Sequence, residues 1–308
     1  MSTESSNPGK LRVWDRPITL LHELAAGSGA VLEPSGLAVQ GPHNAGDFAA
    51  RLYTSEALQP PKSALRRLEQ AEPYSLQWFL NIETLRHNRQ GRWIPRLLEF
   101  SKHSGETLLC LGHGLGTDWL QYARHGASVV VCSPSTSQLA LVRRNFELRG
   151  LTGRFVHASA VGLPLESASI DVACVAGLLE VAPEPQAVIN EIYRVLKPGG
   201  KVLAVTPSWF DVDCWRRWVF FWHRWLWRKQ APRDEALRFT ARSLKRLFSR
   251  YVEHRLHKRH LRRAEVPHLW RWIPLPLLER LMGRVLVVKA FKPLSAALPA
   301  QATKTLAA

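Results

Sequence analysis

The sequence predicts an α/β fold with a doubly wound, mostly parallel sheet that is closed by an antiparallel strand. Two observations lead to this prediction. From residue 106 to residue 208, short apolar runs alternate with amphipathic segments, and this alternation is typical of βαβ units. The run Ser128–Cys132 is mostly valine, as expected for a parallel strand that is covered on both faces. After residue 208 the alternation stops.

The individual elements follow from these patterns in chain order. Glu72–Phe100 is expected to be helical. Five strands are predicted in the alternating region, at 107–111, 128–132, 154–157, 170–176 and 201–206. Three helices are predicted between them, at 118–125, 136–148 and 185–196. Lys197–Gly200 is expected to end the last of these helices, because it contains Pro and two Gly. A helix and two strands are predicted later in the chain, at 240–248, 251–261 and 284–291.

Composition divides the 308 residues into four parts. Residues 1–72 are turn-rich and are interpreted as an N-terminal extension that ends in a linker. Residues 73–208 and 240–293 are interpreted as the α/β domain. Residues 209–239 are rich in Trp and Arg, and we interpret them as a helical cap inserted into that domain. Residues 294–308 are rich in Ala and are expected to be disordered.

Positive charge is concentrated in the C-terminal third of the chain. The net charge is +17, and Trp209–Lys292 contributes +14 of it, from 21 Lys and Arg against 7 Asp and Glu. This charge predicts an anionic partner: a membrane surface, nucleic acid or an acidic substrate. Nucleic acid is the least favoured of the three, because Arg242–Arg263 contains no recognised binding motif.

The Cys and His residues do not predict a metal site. The four cysteines are spread over the sequence, at 110, 132, 174 and 214, and include no zinc-binding pair. His254, His257 and His260 recur at every third residue of a predicted strand, so that neighbours point to opposite faces. The N-terminus lacks a hydrophobic signal core, and no uncharged apolar stretch reaches about 18 residues. We therefore expect a cytoplasmic protein, peripheral at the membrane surface where its basic segment meets anionic lipid.

Residues 108–118, LLCLGHGLGTD, combine an apolar run with three glycines. This order predicts a strand, a tight turn and a helix. Glycines at Gly112, Gly114 and Gly116 allow positive φ angles and the close approach of a ligand. The helix start behind them offers free N–H groups, and parallel sheets bind ligands at the carboxyl ends of their strands. The stretch therefore predicts a cofactor of the nucleotide type.

Four motifs in order resemble a class I S-adenosylmethionine (SAM)-dependent methyltransferase of the small-molecule type, close to methyltransferase type 11. They are LGHGLGTD at 111–118, LPLESASID at 163–171, GLLEVAPEP at 177–185 and EIYRVLKPGG at 191–200. The resemblance covers residues 105–208 and implies a Rossmann-like fold, SAM as cofactor and methyl transfer to a small or lipid-like acceptor. A dinucleotide cofactor fits less well, because the glycine spacing is GxGxG and not GxGxxG.

The resemblance also implies where the cofactor binds. The glycine turn would contact the methionine part of SAM, the end of the second strand its ribose, and the loop after the third strand its adenine. The loop Ala176–Leu178 would face the methyl donor. The implied cofactor residues are Gly112, His113, Gly114, Leu115, Gly116, Asp118, Ser133, Pro134, Ser159, Ala160, Ala176 and Leu178.

Three acidic residues that this family usually carries are absent. Cys110, Ser133 and Ser159 stand in their places. A charge-assisted hydrogen bond of the lost kind contributes about 1.5–3 kcal/mol. Asp118 and Glu106 are nearby acids available to compensate. The alternative to an enzyme is a degenerate methyltransferase-fold protein that serves as a binding or membrane-associated module without turnover.

Acceptor chemistry determines whether methyl transfer needs a base. A hydroxyl acceptor requires one, and Glu180 in the motif at 177–185 is the candidate. The alternative is that Glu180 is a solvated loop carboxylate. His113 lies within the glycine turn, where it either faces the SAM carboxylate or is an exposed turn residue.

Tryptophans recur with a 3-4-3 spacing in the cap, which places them on one face of a helix. They are Trp215, Trp218, Trp222 and Trp225. Arginines lie on the opposite side, at Arg217, Arg224 and Arg228. Three interpretations stay open: an interfacial helix on an anionic membrane, a lid over a hydrophobic acceptor, and a helix packed on the domain by its Trp face.

Overall fold

The computed structural model describes residues 70–87, 91–219, 237–266 and 270–294. Residues 70–85 belong to one compact unit, and the other described residues belong to a second. The domain boundaries expected from composition stay a prediction. Helix α1 (Leu76–Arg86) begins where the Ser75 hydroxyl accepts a hydrogen bond from the Trp78 amide at 3.2 Å. Its buried face includes Trp78, Phe79 and Ile82.

Two helices form where the sequence predicted helical structure over Glu72–Phe100. They are α1 and α2 (Trp93–Leu98). Gly91 lies before α2, and a Cβ there would lie 1.8 Å from the Arg86 carbonyl oxygen. Only a glycine therefore fits at this close approach to the end of α1.

A seven-stranded sheet forms the centre of the second unit, with strand order β3-β2-β1-β4-β5-β7-β6. Its strands are β1 (Thr107–Gly112), β2 (Ser128–Ser133), β3 (Arg154–His157), β4 (Ile170–Ala176), β5 (Leu196–Pro207), β6 (Val252–Arg259) and β7 (Val285–Phe291). Strands β1 to β5 are parallel, and β7 is antiparallel to both β5 and β6. This confirms the predicted α/β class with its mostly parallel sheet and closing antiparallel part.

Helices connect the strands and follow the last parallel one. They are α3 (Trp119–Arg124), α4 (Thr136–Glu147), α5 (Pro185–Val195), α6 (Val212–Val219), α7 (Ala241–Leu247) and α8 (Leu275–Met282). Side chains alternate along β1, so that Leu109 and Leu111 belong to one apolar cluster and Leu108 and Cys110 to another. The sheet is therefore covered on both faces, as the apolar strands require.

Strand β5 begins earlier than the sequence predicted. The segment Lys197–Gly200 was expected to separate helix and strand, but β5 already starts at Leu196. The Gly199 amide donates to the Lys292 carbonyl at 2.9 Å, and the Lys292 amide donates to the Gly200 carbonyl at 2.8 Å. This pairing with a distant residue joins both glycines to the sheet, and Gly199 takes a φ of +77° that favours glycine.

The parallel strands place all their carboxyl ends at one edge of the sheet. From β1 the chain proceeds to β2 and β3 on one side, whereas β4 and β5 lie on the other side. The space between the ends of β1 and β4 is therefore the point where the strand order reverses, at which ligands bind in open α/β sheets. The glycine turn follows β1 at this edge.

A third apolar cluster lies beyond β5 and contains Val212, Leu278 and Met282. Trp215 packs against this cluster, and its indole N–H donates to the Leu281 carbonyl at 3.2 Å. Trp215 thus packs on the domain, as one of the three interpretations predicted. Its assignment to an interfacial helix on a membrane is corrected. The side chains of Trp218, Trp222, Trp225 and the arginines beside them lie outside the described residues. Among the described helices, none is both long and apolar enough to cross a membrane.

Candidate functional site

The glycine turn has two tightly packed positions and one open position. A Cβ at Gly112 would lie 1.8 Å from the Ala176 carbonyl oxygen, and one at Gly116 would lie 2.6 Å from Val142 Cγ1. Gly114 differs, because a Cβ there would meet no described atom within 4 Å apart from its chain neighbours. Its φ of +148° also favours glycine. The turn therefore offers an open cradle at Gly114, beside the point where the strand order reverses.

Two buried amides of α4 hold the turn in place. Gln138 Nε2 donates to the carbonyls of Gly112 at 2.9 Å and Gly114 at 3.0 Å. Asn145 Nδ2 donates to the Leu115 carbonyl at 2.8 Å. Neither residue was predicted from the sequence. The pattern that indicates them is two polar side chains seven residues apart, on the same otherwise apolar face of a helix.

Ser133, the predicted ribose ligand, supports the turn from below. Its side chain is buried, and its hydroxyl donates to Gln138 Oε1 at 2.7 Å. The Ser133 Oγ atom also accepts a hydrogen bond from the Ser135 amide at 3.1 Å. The hydroxyl is thus already bonded within the protein, and its contact with the ribose stays a prediction. Its neighbour Pro134 is exposed, and the Pro134 carbonyl accepts a hydrogen bond from His157 Nε2 at 2.8 Å.

The predicted adenine loop lies open at the same edge. Ser159 is exposed after the end of β3, while Ala160 is half-buried against the core. On the other side of the turn, Leu178 also packs partly against this core, and Ala176 ends β4. The structure therefore brings the predicted loops to one edge, and their contacts with a cofactor stay a prediction.

Asp118 lies behind the turn in an ion-pair network. The Arg86 guanidinium donates to both carboxylate oxygens, at 2.7 Å from Nε to Oδ1, and His87 Nε2 lies 3.1 Å from Oδ1. Burial opposes ionisation, but Arg86 and His87 outweigh it and hold the pKa of Asp118 well below its usual range. These partners already occupy the carboxylate, and a contact between Asp118 and the cofactor stays a prediction.

The other acid proposed to compensate lies at the wrong end of the sheet. Glu106 precedes β1 and binds His103 Nδ1 at 2.7 Å. The six residues of β1 separate it from the glycine turn by roughly 20 Å. Cys110, which replaces the usual acid of β1, is fully buried in an apolar cluster, and burial raises the pKa of its thiol well above the usual range. A neutral side chain suits that environment.

Glu180 is a buried carboxylate in the loop after β4. Only 8% of its surface is exposed, and its Oε2 atom has no hydrogen-bond partner among the described residues. Burial raises the pKa of Glu180 to about 7. The interpretation as a solvated loop carboxylate is therefore wrong. A buried, titrating and unpaired acid at the ligand-binding edge of a sheet is typical of a functional residue.

Glu180 and the glycine turn meet at Gly177. Glu180 Oε1 and His113 Cβ each lie 3.9 Å from the position that a Cβ at Gly177 would take. The His113 amide donates to the Ala176 carbonyl at 3.3 Å, and the Leu237 amide donates to the Glu180 carbonyl at 2.8 Å. His113 is exposed, yet the protein around it desolvates the ring and lowers its pKa, so that the imidazole is neutral at pH 7.

Within the part of the chain that the structure describes, no three His, Cys, Asp or Glu side chains gather into a group that could hold a metal ion. His254 Nε2 binds the Phe248 carbonyl at 2.7 Å, whereas His257 lies opposite Val287.

The comparisons with known proteins agree with this geometry. Residues 109–204 match the family model described as a methyltransferase domain. This segment is therefore similar to a SAM-dependent methyltransferase domain. The match includes most of β1, all of β2 to β4 and most of β5, together with the glycine turn and Glu180.

Two curated relatives are named demethylmenaquinone methyltransferase. The one from Clavibacter sepedonicus is 36% identical over 118 residues, which cover 37% of this chain and 46% of the relative. The one from Thermus thermophilus is 31% identical over 117 residues, which cover 37% of this chain and 53% of the relative. The chain thus spans about half the length of these relatives. A solved structure of geranyl diphosphate methyltransferase, in complex with GPP and sinefungin, has a sequence identity of 17% to this chain and a TM-score of 0.50. The match covers 70% of this chain and 83% of the solved chain, and it shows a shared fold.

Proposed function

We propose that this protein transfers the methyl group of SAM to a small or lipid-like acceptor. One observation carries the proposal: the open cradle at Gly114 lies at the same strand edge as the Glu180 carboxylate, whose Oε2 atom has no hydrogen-bond partner among the described residues. The cradle supplies room for a cofactor, and the carboxylate supplies a base. His113 and Gly177 lie between these two features.

The residues at this edge fit SAM in part. The backbone of Gly112–Gly116 would hold the methionine part, and a side chain at Gly114 would fill the cradle. The exposed hydroxyl of Ser159 and the exposed ring of Pro134 would flank the nucleoside. Because the usual carboxylates are absent, we expect an affinity roughly ten- to a hundredfold weaker for each charge-assisted hydrogen bond that is lost. When bound, SAM supplies a methyl group on a positively charged sulfur.

Glu180 would remove a proton from the acceptor. With a pKa of about 7, close to half of its carboxyl groups are ionised at neutral pH. A base whose pKa lies near the working pH combines a useful ionised fraction with a strong tendency to take up a proton. A hydroxyl or an acidic C–H acceptor would lose its proton to Glu180 as its oxygen or carbon receives the methyl group.

Demethylmenaquinone is the first acceptor to test, because two relatives carry its name. The test begins with calorimetry of SAM and S-adenosylhomocysteine binding to the full chain. It continues with an assay for S-adenosylhomocysteine release in the presence of demethylmenaquinone and smaller hydroxylated rings. We expect SAM binding and acceptor-dependent release. A protein that fails to bind SAM at millimolar concentration would refute the proposal.

A second candidate function is binding without turnover. The neutral residues Cys110, Ser133 and Ser159 favour it, since all three usual acids are replaced. The same two measurements separate the candidates. SAM binding without release of S-adenosylhomocysteine in any acceptor mixture supports the binding module, and steady release supports the enzyme.

A further inference from the structure

Large apolar side chains are exposed together around helix α8 and the segment that follows β5. The exposed fractions are 44% for Trp209, 52% for Phe210, 80% for Trp272, 56% for Leu277 and 41% for Leu281. We call these five residues the α8 surface. Single exposed apolar residues are ordinary, but a contiguous group marks an interaction site.

Contacts of Lys258 show that parts of the α8 surface adjoin each other. Its ammonium group donates to the Phe210 carbonyl and to the Leu281 carbonyl, the latter at 2.6 Å. Leu277 and Leu281 lie four residues apart on α8 and so share one side of the helix. The other side of α8 is buried through Leu278 and Met282. The exposed side chains therefore run from Phe210 along α8, which is about 12 Å long, and Trp272 precedes the other end of the helix.

Positive charge surrounds the α8 surface. The described residues 209–215, 258–266 and 270–284 carry seven Lys and Arg against two Asp and two Glu. All four acids are already paired: Asp213 and Glu265 with Arg284, Glu279 with Arg259 at 3.7 Å, and Asp211 with Arg238 at 2.5 Å. Arg280 is exposed between Leu277 and Leu281, and it forms no ion pair with the described part of the chain. The apolar side chains thus have a cationic rim.

We propose that the α8 surface docks this protein onto an anionic lipid bilayer. Trp and Arg suit the headgroup level of a bilayer, and Leu and Phe suit the boundary of its hydrocarbon. A second copy of the chain fits less well, since a twofold contact would bring the two cationic rims together. Nucleic acid would leave the apolar side chains without a partner.

A series of backbone contacts leads from the α8 surface to Glu180. Phe210 follows β5 closely, and Ser208 at the end of that strand bridges to Phe239. Two residues before Phe239, the Leu237 amide binds the Glu180 carbonyl at 2.8 Å. Docking would therefore bring Glu180 near the bilayer, which suits a lipid-like acceptor. This last step rests on the proposed methyl transfer, whereas the docking itself does not.

Co-sedimentation with vesicles tests the docking. The full chain is mixed with vesicles of phosphatidylcholine alone or of phosphatidylcholine with phosphatidylglycerol, and we expect binding to the anionic vesicles. Leu277→Asp should lower the partition coefficient at least about tenfold, and Arg280→Glu about fivefold. Circular dichroism confirms that each variant is folded, and calorimetry with SAM shows separately whether the cofactor site is intact.

Two matched variants control for general charge effects. Leu294→Asp makes the same substitution at another exposed leucine. Leu294 is 83% exposed and lies beside Gly199, at the amino-terminal edge of the parallel strands. Arg246→Glu makes the same charge change on the exposed side of α7. Both should bind vesicles as the wild type does. The proposal is overturned if the controls lose as much binding as the α8 variants, if anionic vesicles are not bound, or if light scattering shows a dimer that Leu277→Asp dissociates.

Discussion

The regions on the two sides of the glycine turn each bury one carboxylate, and they treat it in opposite ways. Behind the turn, at the start of α3, Asp118 is held by Arg86 and His87. In the loop after β4, Glu180 has one carboxylate oxygen without a partner among the described residues. A paired buried carboxylate stays ionised, whereas an unpaired one shifts its pKa toward neutrality. The Asp118 carboxylate therefore stabilises the fold, and the Glu180 carboxylate is suited to accept a proton.

The largest expected effect comes from closing the space between these regions. Gly114→Val should abolish SAM binding in calorimetry, because the side chain fills the open cradle. Gly105→Val is the matched control. Gly105 also has a positive φ, +78°, and open space at its Cβ, but it lies before β1 at the opposite edge. Equal loss of SAM binding in both variants would show that backbone strain, and not the cradle, is responsible.

Removing the unpaired carboxylate should slow the reaction without weakening cofactor binding. For Glu180→Gln we expect methyl transfer to fall roughly 10²- to 10⁴-fold, with the SAM dissociation constant unchanged. In the wild type the rate should rise through pH 7, since the pKa of Glu180 is about 7. A variant with the wild-type rate, or with the same pH profile, excludes Glu180 as the base.

Removing the paired carboxylate should instead reduce stability. Asp118→Asn leaves Arg86 and His87 without their acid, and we expect a loss of about 3–5 kcal/mol in the free energy of unfolding, measured with denaturant. Because the folded pKa of Asp118 is lowered, its contribution to stability is present above the usual Asp pKa of 3.8 and is lost as the pH falls below it.

An exposed ion pair provides the comparison for this loss. Glu253 and Arg255 are 62% and 65% exposed and lie 3.2 Å apart, so Glu253→Gln should change stability by less than about 1 kcal/mol. If Asp118→Asn costs no more than Glu253→Gln, the ion pair behind the turn does not hold it.

A further effect, smaller than that of Asp118→Asn, concerns the stability cost of Glu180. Its folded pKa is raised from 4.5 to about 7, so the folded state loses stability as the pH rises across this interval. Glu180→Gln should therefore be more stable than the wild type above pH 7, by up to about 3 kcal/mol, and equal to it near pH 4. Thermal unfolding at the two pH values checks this, and a difference that does not depend on pH would count against a buried, unpaired carboxylate.

Local patterns in the sequence were enough to predict strands β1 to β4 and the glycine turn. Strands β3 and β4 begin and end where the apolar runs do, and Glu180 was found from its motif. The missed features depend on distant contacts. Arg86 meets Asp118 across 32 residues, and Gln138 meets Gly112 across 26. Likewise, Gly199 belongs to the sheet because it pairs with Lys292, a contact that no local pattern indicates.

The most direct test of the central claim is the titration of Glu180 itself. Carbon-13 NMR of the glutamate carboxyl groups follows its pKa, with Glu180→Gln identifying the signal. In the free protein we expect a midpoint near 7. SAM should lower this midpoint, because its cationic sulfur favours the ionised carboxylate, whereas S-adenosylhomocysteine, with a neutral sulfur, should not. A midpoint near the usual Glu pKa of 4.5, or the same midpoint with both ligands, would contradict a base that faces the methyl donor.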